Sequence, residues 1–334
     1  MYDLARMSSN DREIVFINTA NKMEVNEAII EKDFWVVLIL EYLFNKCKYK
    51  DYFTFKGGTS LSKSYSIIRR FSEDIDIILD WTILGVPKDE PYRDRSKTKQ
   101  GQYNEYISKL VEVFIENQLL DEIKNGLETI LDYKINMYCD SKEKNTIIFE
   151  YPRQFNNNSI LRVIRIEFGP LAAWIPSKLT KVSSYINDFY PKVFKQAFTE
   201  VLTVTPERTF WEKATILYHE ANRPISSKIP TRYSRHYYDV LMMYEKLPKE
   251  ELISDLDLLK KVVKFKMKFY PRGWANYNLA KPGTLRLVPD QYRFKELIND
   301  YRAMKDMLFG EIPKFNKIME TIKELENLIN RLIK

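Results

Sequence analysis

The segment from Lys56 to Leu79, KGGTSLSKSYSIIRRFSEDIDIIL, constrains the fold of this chain more than any other. Residues 52–56 alternate between apolar and polar side chains, which is typical of a short strand. Two glycines interrupt the pattern, and a helix is predicted from Thr59 or Ser60 because apolar residues then recur on one helical face. Residues 75–81 return to a strand pattern. The segment therefore predicts a strand, a glycine turn, a helix and a second strand.

Two carboxylates, Asp74 and Asp76, stand at the start of the second strand. Side chains two positions apart in a strand point to the same face, and like charges that close repel each other unless a cation lies between them. Such oxygen ligands suit Mg²⁺, which usually keeps one or two carboxylates together with substrate phosphates. Ser72 lies on the same face, where it is placed to contact a phosphate or an acceptor. The alternative for this pair is a solvated strand edge without a metal.

The glycine turn is a candidate phosphate site. Two glycines let the backbone approach a ligand closely, and the following helix offers free N–H groups and the positive end of its dipole. The predicted nucleotide-binding set of this turn and helix is Gly57, Gly58, Thr59, Ser60 and Lys63. A glycine pair before a helix is also common as a simple tight turn. Its combination with the two carboxylates favours a triphosphate on the turn and metal ions on the strand.

The rest of the chain changes character along its length. We predict a helix over residues 26–46, with Asn26 as its cap. A long polar loop over 87–106, a helix over 106–124 and further short strands follow. Beyond about residue 200 the pattern is helical. Strands are predicted over 133–139, 146–151 and 160–168; helices are predicted from Thr205 and over 231–246, 249–268, 290–308 and 312–333.

Composition and charge restrict the class of protein. A chain of 334 residues suggests two domains or one large one. The net charge of +7 is compatible with a polyanionic partner such as RNA, although many basic proteins bind none. Two isolated cysteines form neither a disulfide framework nor a zinc pattern. The N-terminus lacks the apolar core of a signal peptide, and the longest apolar run, Phe34 to Leu40, is too short to span a bilayer. We therefore expect a cytoplasmic protein with no membrane partner.

The motif residues resemble a known family. GGTSL followed by SEDID is similar to the AbiEii/AbiGii-type nucleotidyltransferase toxins of the DNA-polymerase-β-like superfamily, and the resemblance covers most of the chain. Thr205–Asp239 resembles the third and fourth motifs of the family, which map onto Lys213 and Asp239. One departure is HYY before Asp239, where the family often has Arg-Asp-aromatic-Tyr; it leaves Arg235 as the nearby cation. The segments FYPRGWANYNLAKPGTLRLVP and DYRAMKDMLFGE are similar to the C-terminal helical region of the family.

The resemblance implies roles for three further side chains. Lys213 would stabilise the negative charge that builds on the leaving pyrophosphate, a task suited to the flexible lysine ammonium; the alternative is a solvated helix lysine. Asp239 would orient Lys213 or Arg235; the alternative is a helix-surface aspartate. Polymerase-like sites often take a third carboxylate from a neighbouring strand. Glu167 is the candidate, with either a metal ion or Arg165 as its partner.

These observations and the resemblance together predict an α/β (α+β) architecture. A nucleotidyltransferase domain with N-terminal helices and a mixed sheet would span residues 1–200. A mostly α-helical domain would span residues 201–334 and contribute Lys213 and Asp239 to the catalytic cleft. The reaction would move a nucleoside monophosphate from an NTP to an acceptor hydroxyl and release pyrophosphate. Two Mg²⁺ ions, with Mn²⁺ as the alternative, would clamp the attacking and leaving oxygens.

The resemblance also implies a biological setting. Such proteins are toxins of bacterial toxin–antitoxin and phage-defence systems, usually encoded beside an antitoxin, and the sequence leaves direct contact between the two open. The acceptor implied is the tRNA 3′ end, whose modification blocks translation. Trp274 and Tyr277, near Arg272, are placed either to stack on bases or to pack in the core. Two alternatives are an enzyme that nucleotidylates a protein and a catalytically silent module that binds nucleic acid.

Overall fold

A computed structural model describes residues 1–157, 160–169, 171–173, 175–192 and 194–332 of the protein. The chain forms two compact units. Unit 1 consists of Met1–Tyr65 and Phe71–Val204, and unit 2 consists of Ser66–Arg70 and Thr205–Lys334. A five-residue piece of the motif segment is therefore part of unit 2, although the residues on both sides of it belong to unit 1.

Unit 1 combines helices with one sheet of seven strands. Its helices are α1 (Tyr2–Arg6), α2 (Ser9–Met23), α3 (Glu27–Glu41), α4 (Gly57–Lys63), α5 (Lys97–Phe114), α6 (Leu120–Leu131) and α7 (Tyr185–Phe189). Its strands are β1 (Phe53–Lys56), β2 (Asp74–Leu79), β3 (Asn136–Cys139), β4 (Thr146–Glu150), β5 (Ile164–Gly169), β6 (Ser177–Val182) and β7 (Thr199–Val204).

The sheet is mixed, as the sequence predicts. Its strand order is β3-β4-β5-β2-β1-β7-β6. Strand β2 occupies the centre, antiparallel to β1 and parallel to β5. This arrangement places the start of β2, which carries the two motif carboxylates, between the glycine-turn strand and the strand that carries Glu167.

Helix α3 runs through the interior of unit 1. The side chain of Asn26 caps it by accepting a hydrogen bond from the Ala28 N–H at 3.0 Å, which confirms the predicted cap. Apolar residues on all sides of the helix are buried, including Phe34 and Trp35, whose rings meet edge to face. A helix that is apolar all round belongs in a core rather than at a surface.

In the part of unit 2 that the structure describes, the regular elements are helices, and an isolated bridge joins Arg70 to Leu308. Helix α8 packs against α9 and α11, and α9 also packs against α12 and α13. The helices are α8 (Pro206–Ala221), α9 (Ser234–Lys246), α10 (Lys249–Ser254), α11 (Leu256–Phe269), α12 (Phe294–Ala303) and α13 (Phe315–Asn330). The predicted fold class, a mixed α/β unit followed by a mostly helical one, is confirmed.

Three local predictions are wrong, and two strands are missed. Helix α4 begins at Gly57, not at Thr59 or Ser60, so the glycines form its first turn. Residues from Lys97 onward, predicted as loop, begin helix α5, because the Ser96 side chain caps them. The predicted helix over 249–268 is two helices, since Asp255 caps a new one. No strand is predicted for β6 and β7, because polar residues make up at least half of each segment.

None of the helices in the described part of the chain combines the length and the apolar character that crossing a membrane requires.

Candidate active site

The register of the sheet gathers the predicted carboxylates of unit 1. Asp76 pairs with Glu167 across the parallel strands β2 and β5, and Asp74 pairs with Arg165 in the same ladder. Paired side chains in adjacent strands project to one face of the sheet. Asp74, Asp76 and Glu167 therefore share a face at neighbouring positions, although more than 90 residues separate Glu167 from the other two in sequence.

The carboxylate of Asp76 occupies the space where a side chain at position 57 would lie. Its φ of +82° lies in the left-handed region, and a Cβ built on it would stand 2.0 Å from Oδ2 of Asp76. Only glycine leaves room for that carboxylate and adopts this backbone conformation without strain. The first glycine of the motif therefore has a steric role, which is to let the carboxylate of β2 lie against the start of α4.

Of the two partners that the sequence leaves open for Glu167, the structure shows a contact with Arg165. Its carboxylate accepts a hydrogen bond from Nε of Arg165 at 3.3 Å, and that guanidinium also binds Asp140 at 2.9 Å. Burial, followed by the negative charges of Asp76 and Asp74, raises the pKa of Glu167 to about 7. The raised pKa reports a concentration of negative charge that a bound cation would relieve.

The remaining predicted residues of the turn have defined contacts. Thr59 Oγ1 donates a short hydrogen bond to the carbonyl oxygen of Asp74, and Ser60 Oγ donates to the Gly57 carbonyl at 2.9 Å. Both side chains are buried. Ser72 is half-buried and lines a small recess that Thr59 also lines. The two hydroxyls of α4 thus tie the turn to β2 and to itself.

Lys63 contacts an acid of helix α3. Its Nζ lies 2.6 Å from Oδ1 of Asp33 and 3.7 Å from the ring centroid of Tyr185. The other oxygen of Asp33 accepts hydrogen bonds from Ser184 Oγ at 3.0 Å and from the Tyr185 N–H at 2.8 Å. These contacts engage the ammonium group that the sequence assigns to nucleotide binding, and that assignment stays a prediction.

The donor set of this face fits a divalent cation held by two carboxylates. All the acidic donors are hard oxygens, the kind that Mg²⁺ takes together with substrate phosphates. Within the described residues, no group of three or more His, Cys, Asp or Glu side chains converges closely enough to hold a metal by itself. The geometry therefore suits the pair Asp74 and Asp76 completed by ligands from a substrate, and Glu167 as a ligand stays a prediction.

In unit 2, Lys213 and Asp239 form a buried ion pair. Lys213 Nζ on α8 lies 2.7 Å from Oδ2 of Asp239 on α9, and their side chains are 8% and 0% exposed. Arg70 donates two hydrogen bonds to the same carboxylate, from Nε to Oδ1 at 2.7 Å and from Nη2 to Oδ2 at 2.8 Å. Neither a solvated lysine nor a helix-surface aspartate describes this pair, so both of those alternatives are wrong.

Opposing effects act on the titration of this ion pair. Burial would raise the pKa of Asp239, but the adjacent Arg70 and Lys213 outweigh it and hold that pKa below its usual value. Burial lowers the pKa of Lys213; Asp239 opposes this effect, while the positive charges of Arg70 and Arg235 add to it. Asp239 therefore contacts both Lys213 and Arg70, and its role in orienting Lys213 stays a prediction.

A comparison with family models confirms the family that the sequence resembles. A family model described as the nucleotidyl transferase AbiEii toxin of a type IV toxin–antitoxin system matches residues 38–325. The chain belongs to this family. A search among curated proteins finds no match. A solved structure, the nucleotidyltransferase toxin MenT4 from Mycobacterium tuberculosis H37Rv, is 15% identical with a TM-score of 0.46, over 97% of this chain and 99% of that one.

Family membership makes this AbiEii-type chain a nucleotidyltransferase and a toxin of a type IV toxin–antitoxin system. It also implies an NTP substrate and a cognate antitoxin. The matched range includes the glycine turn, both motif aspartates and the Lys213–Asp239 pair. The metal ion, the acceptor and the roles of individual residues stay predictions.

Two aromatic residues of the AbiEii-type unit 2 pack around a histidine. The ring of Trp274 lies 4.4 Å from that of His219, centroid to centroid, and the hydroxyl of Tyr277 lies 3.2 Å from Nδ1 of the same histidine. Tyr277 is buried, whereas Trp274 is half-exposed. Tyr277 is therefore a core residue, and Trp274 keeps a surface that a ligand can reach.

Basic side chains surround this aromatic group. The guanidinium of Arg223 lies 5.3 Å from the ring centroid of Trp274. Burial, and then the positive charges of Lys266, Arg223 and Arg272, lower the pKa of His219 to about 4. The histidine is thus neutral near pH 7, beside a partly exposed tryptophan. The carboxylate of Glu220 lies 3.6 Å from Nε2 of this histidine and accepts hydrogen bonds from Arg223, so it offsets part of the positive charge.

Sequence reasoning missed several residues that shape the site. Arg70 carries no motif of its own, and only its place before the SEDID segment marks it. The charged triplet Glu31, Lys32 and Asp33 was passed over, although all three are buried in α3. A signal was available, because the triplet is followed at once by the apolar run FWVVLIL. Three charges in a helix that is otherwise apolar indicate buried partners elsewhere in the chain.

Proposed function

We propose that this nucleotidyltransferase moves a nucleoside monophosphate from an NTP to the 3′ end of a tRNA and so blocks translation. The acceptor hydroxyl oxygen forms a bond to the α-phosphorus, and the bond from that phosphorus to the oxygen leading to the β-phosphate breaks. Pyrophosphate leaves, and the hydroxyl proton passes to a base or to solvent. The observation that carries the proposal is the register that gathers Asp74, Asp76 and Glu167 beside the Gly57 turn.

Asp74 and Asp76 would hold divalent metal ions, two Mg²⁺ in this proposal. Bound there, the ions would supply Lewis acidity to the α-phosphate and neutralise charge on the attacking and leaving oxygens. The raised pKa of Glu167 supports this assignment, because part of its cause is the negative charge of the same two aspartates. Ser72, on the approach to this strand, would contact the acceptor or a phosphate.

Lys213 would stabilise the triphosphate and the leaving pyrophosphate. Its position is held by Asp239 at 2.7 Å, and Arg70 and Arg235 add positive charge around it. A cation held in place before the reaction stabilises developing negative charge without the cost of reorganisation.

An RNA acceptor is supported by the charge of the chain and of unit 2. The net charge is +7, and Lys266, Arg223 and Arg272 create positive potential beside Trp274. Half-exposed aromatics among basic side chains are typical of surfaces on which single-stranded bases stack. This cluster favours RNA over a protein as the acceptor.

The test uses the purified full-length chain, total tRNA and each of the four α-labelled NTPs with Mg²⁺. Wild type is expected to label tRNA with one preferred nucleotide. Asp76→Asn should lose about 10³-fold in rate, equivalent to about 4 kcal/mol of transition-state stabilisation. Asp89→Asn is the matched control, because that side chain is 77% exposed and lies away from the sheet ladder.

Three outcomes would be informative. Label on tRNA from wild type and from Asp89→Asn, but not from Asp76→Asn, supports the proposal. Label on a protein with tRNA unchanged rejects the acceptor and keeps the enzyme. If induced wild type and Asp76→Asn arrest growth equally, the carboxylates are not the source of toxicity, and a nucleic-acid-binding module becomes the better account.

A further inference from the structure

A buried ion pair lies immediately before the catalytic strand. Nζ of Lys32, on α3, lies 3.0 Å from Oε2 of Glu73, and the two side chains are 0% and 2% exposed. Glu73 is the residue before Asp74, where β2 begins. The pair therefore anchors the first metal-ligand position of the proposed site to the central helix of unit 1.

The same pair binds a second segment of backbone. Lys32 Nζ donates to the Leu161 carbonyl oxygen at 2.9 Å, and the Leu161 N–H donates to Oε2 of Glu73 at 2.7 Å. Leu161 lies three residues before β5 begins at Ile164. One buried ion pair thus holds the leading ends of both β2 and β5, the two strands whose register places Asp76 opposite Glu167.

The shared face of the proposed site carboxylates depends on the register between strands β2 and β5. Because strand side chains alternate between faces, a slip of one residue between β2 and β5 would move one set of carboxylates to the opposite side of the sheet. Buried isoleucines alternate along β2 and β5 and oppose a slip of one residue, because it would turn them out of the core. A slip of two residues would keep them buried and still move Asp76 away from Glu167, and packing of such similar side chains discriminates poorly between registers two residues apart. A polar anchor with defined hydrogen bonds discriminates far better.

Stability is a weak explanation for this ion pair. Burying two charges carries a desolvation cost that their attraction often fails to exceed, and well-packed apolar residues in the same place are frequently as stable or more so. Fixing one arrangement among several is the best-attested use of such buried polar groups. The contacts with Leu161 show which arrangement is fixed here.

We propose that Lys32 and Glu73 are positioning residues for nucleotidyl transfer, which set the β2–β5 register and hence the placement of Asp74 and Asp76. This inference rests on the proposed function for its catalytic consequence, whereas its structural part stands by itself. It assigns no contact with substrate to either residue.

The test is the double variant Lys32→Met/Glu73→Gln in the full-length chain. It removes both charges, while the glutamine keeps an acceptor for the Leu161 N–H. The matched control is Glu41→Gln, another acid of α3, which is 9% exposed and accepts a hydrogen bond from Thr199. Lys32→Gln/Glu73→Gln serves as the milder variant should the first double variant fail to fold, because it leaves no unpaired charge and keeps an amide donor at position 32 for the Leu161 carbonyl.

Two readouts separate the inference from the proposed function. Hydrogen–deuterium exchange over residues 74–79 and 164–169 should rise in the double variant and stay at the wild-type level in Glu41→Gln. The labelling rate should fall about 10- to 100-fold, as loss of supporting residues around metal ligands usually causes, with KM for the NTP unchanged and the half-saturating Mg²⁺ concentration raised.

Each result has one meaning. A folded double variant with wild-type exchange in both strands overturns the inference, whatever its activity. Raised exchange in the two strands with wild-type labelling kinetics overturns the catalytic part. Absence of labelling by the wild-type chain rejects the proposed function, and the exchange measurement still decides whether the ion pair sets the register.

Discussion

Unit 1 and unit 2 each bury charged side chains, but they balance these charges differently. In unit 1, helix α3 carries three charged residues in succession, and each is matched. Glu31 accepts the N–H groups of residues 154 and 155 at 2.7 and 3.2 Å, Lys32 pairs with a glutamate, and Asp33 pairs with a lysine. Every one of these contacts joins α3 to a segment distant in sequence, so the charges set geometry.

In unit 2 the balance is toward positive charge. Asp239 accepts hydrogen bonds from both Lys213 and Arg70, and Arg235 adds a further positive charge to the surroundings of Lys213. A buried group with this balance favours an additional anion. The comparison teaches that matched buried charges indicate a structural register, whereas a cation-rich set indicates a place for a negatively charged ligand.

The largest expected effect comes from removing the shared anion of unit 2. Asp239→Asn leaves Lys213 and Arg70 buried without a carboxylate, and we expect the free energy of unfolding to fall by about 4 kcal/mol. Urea unfolding of the full-length chain measures it. Asp257→Asn is the control, because that aspartate is 80% exposed and pairs with Lys260 at the surface. Equal unfolding midpoints for the two variants would show that the shared carboxylate is not needed.

A smaller effect is expected when one member of a matched pair in unit 1 is removed. Lys32→Met leaves Glu73 charged and buried, at a cost of about 3 kcal/mol. Adding Glu73→Gln should recover part of that loss, since no unpaired charge then remains. A double-mutant cycle by chemical denaturation gives the coupling between the two residues. Additive effects would contradict the assignment of Lys32 and Glu73 as a matched pair.

Alanine substitutions at Gly57 and Gly85 separate the cost of backbone strain from the cost of a steric clash. Gly57→Ala meets a positive φ and a clash with Asp76, whereas Gly85→Ala meets a φ of +76° with no atom within 4 Å. Strain alone costs roughly 1 to 2 kcal/mol, so both variants should lose that much stability. Only Gly57→Ala should also lose labelling activity, because it displaces a catalytic carboxylate. Activity retained in Gly57→Ala would show that Asp76 has freedom to move.

The smallest effects concern pH, and their signs differ between the units. Burial raises the pKa of Glu31 to about 7, so the folded state holds a proton that the unfolded chain releases above its ordinary pKa of 4.5. Its stabilising contribution is present at low pH and is lost as the pH rises through about 7. The pKa of His219 is lowered to about 4, so its contribution is complete above 6.5 and is lost as the pH falls toward 4.

Each group changes stability by at most about 1.4 kcal/mol per pH unit within its window. Thermal unfolding midpoints measured from pH 7 to about pH 5 test both signs. Relative to wild type, Glu31→Gln should lose more stability on acidification, and His219→Gln should lose less. Parallel pH profiles for wild type and both variants would mean that neither group is buried in the protonation state described.

Local spacing in the sequence determined the strand–turn–helix–strand unit, the two aspartates on one face and the helical character of the chain beyond Thr205. These features depend on neighbours within a few residues, whose periodicity is visible without a fold. The cap at Asn26 belongs to the same class. Lys213 and Asp239 were named through family resemblance, and the structure shows the contact between them.

Only the tertiary structure decided how the charges are shared. Arg70 on Asp239, Lys32 on Glu73 and the carboxylate that fills the space at Gly57 all join residues far apart in the chain. Strands β6 and β7 were decided there as well, because half-polar segments become strands only when a neighbouring strand supplies hydrogen bonds. Burial and pairing across long sequence separations set the energy of a charged group, and residue order alone does not encode which partner it meets.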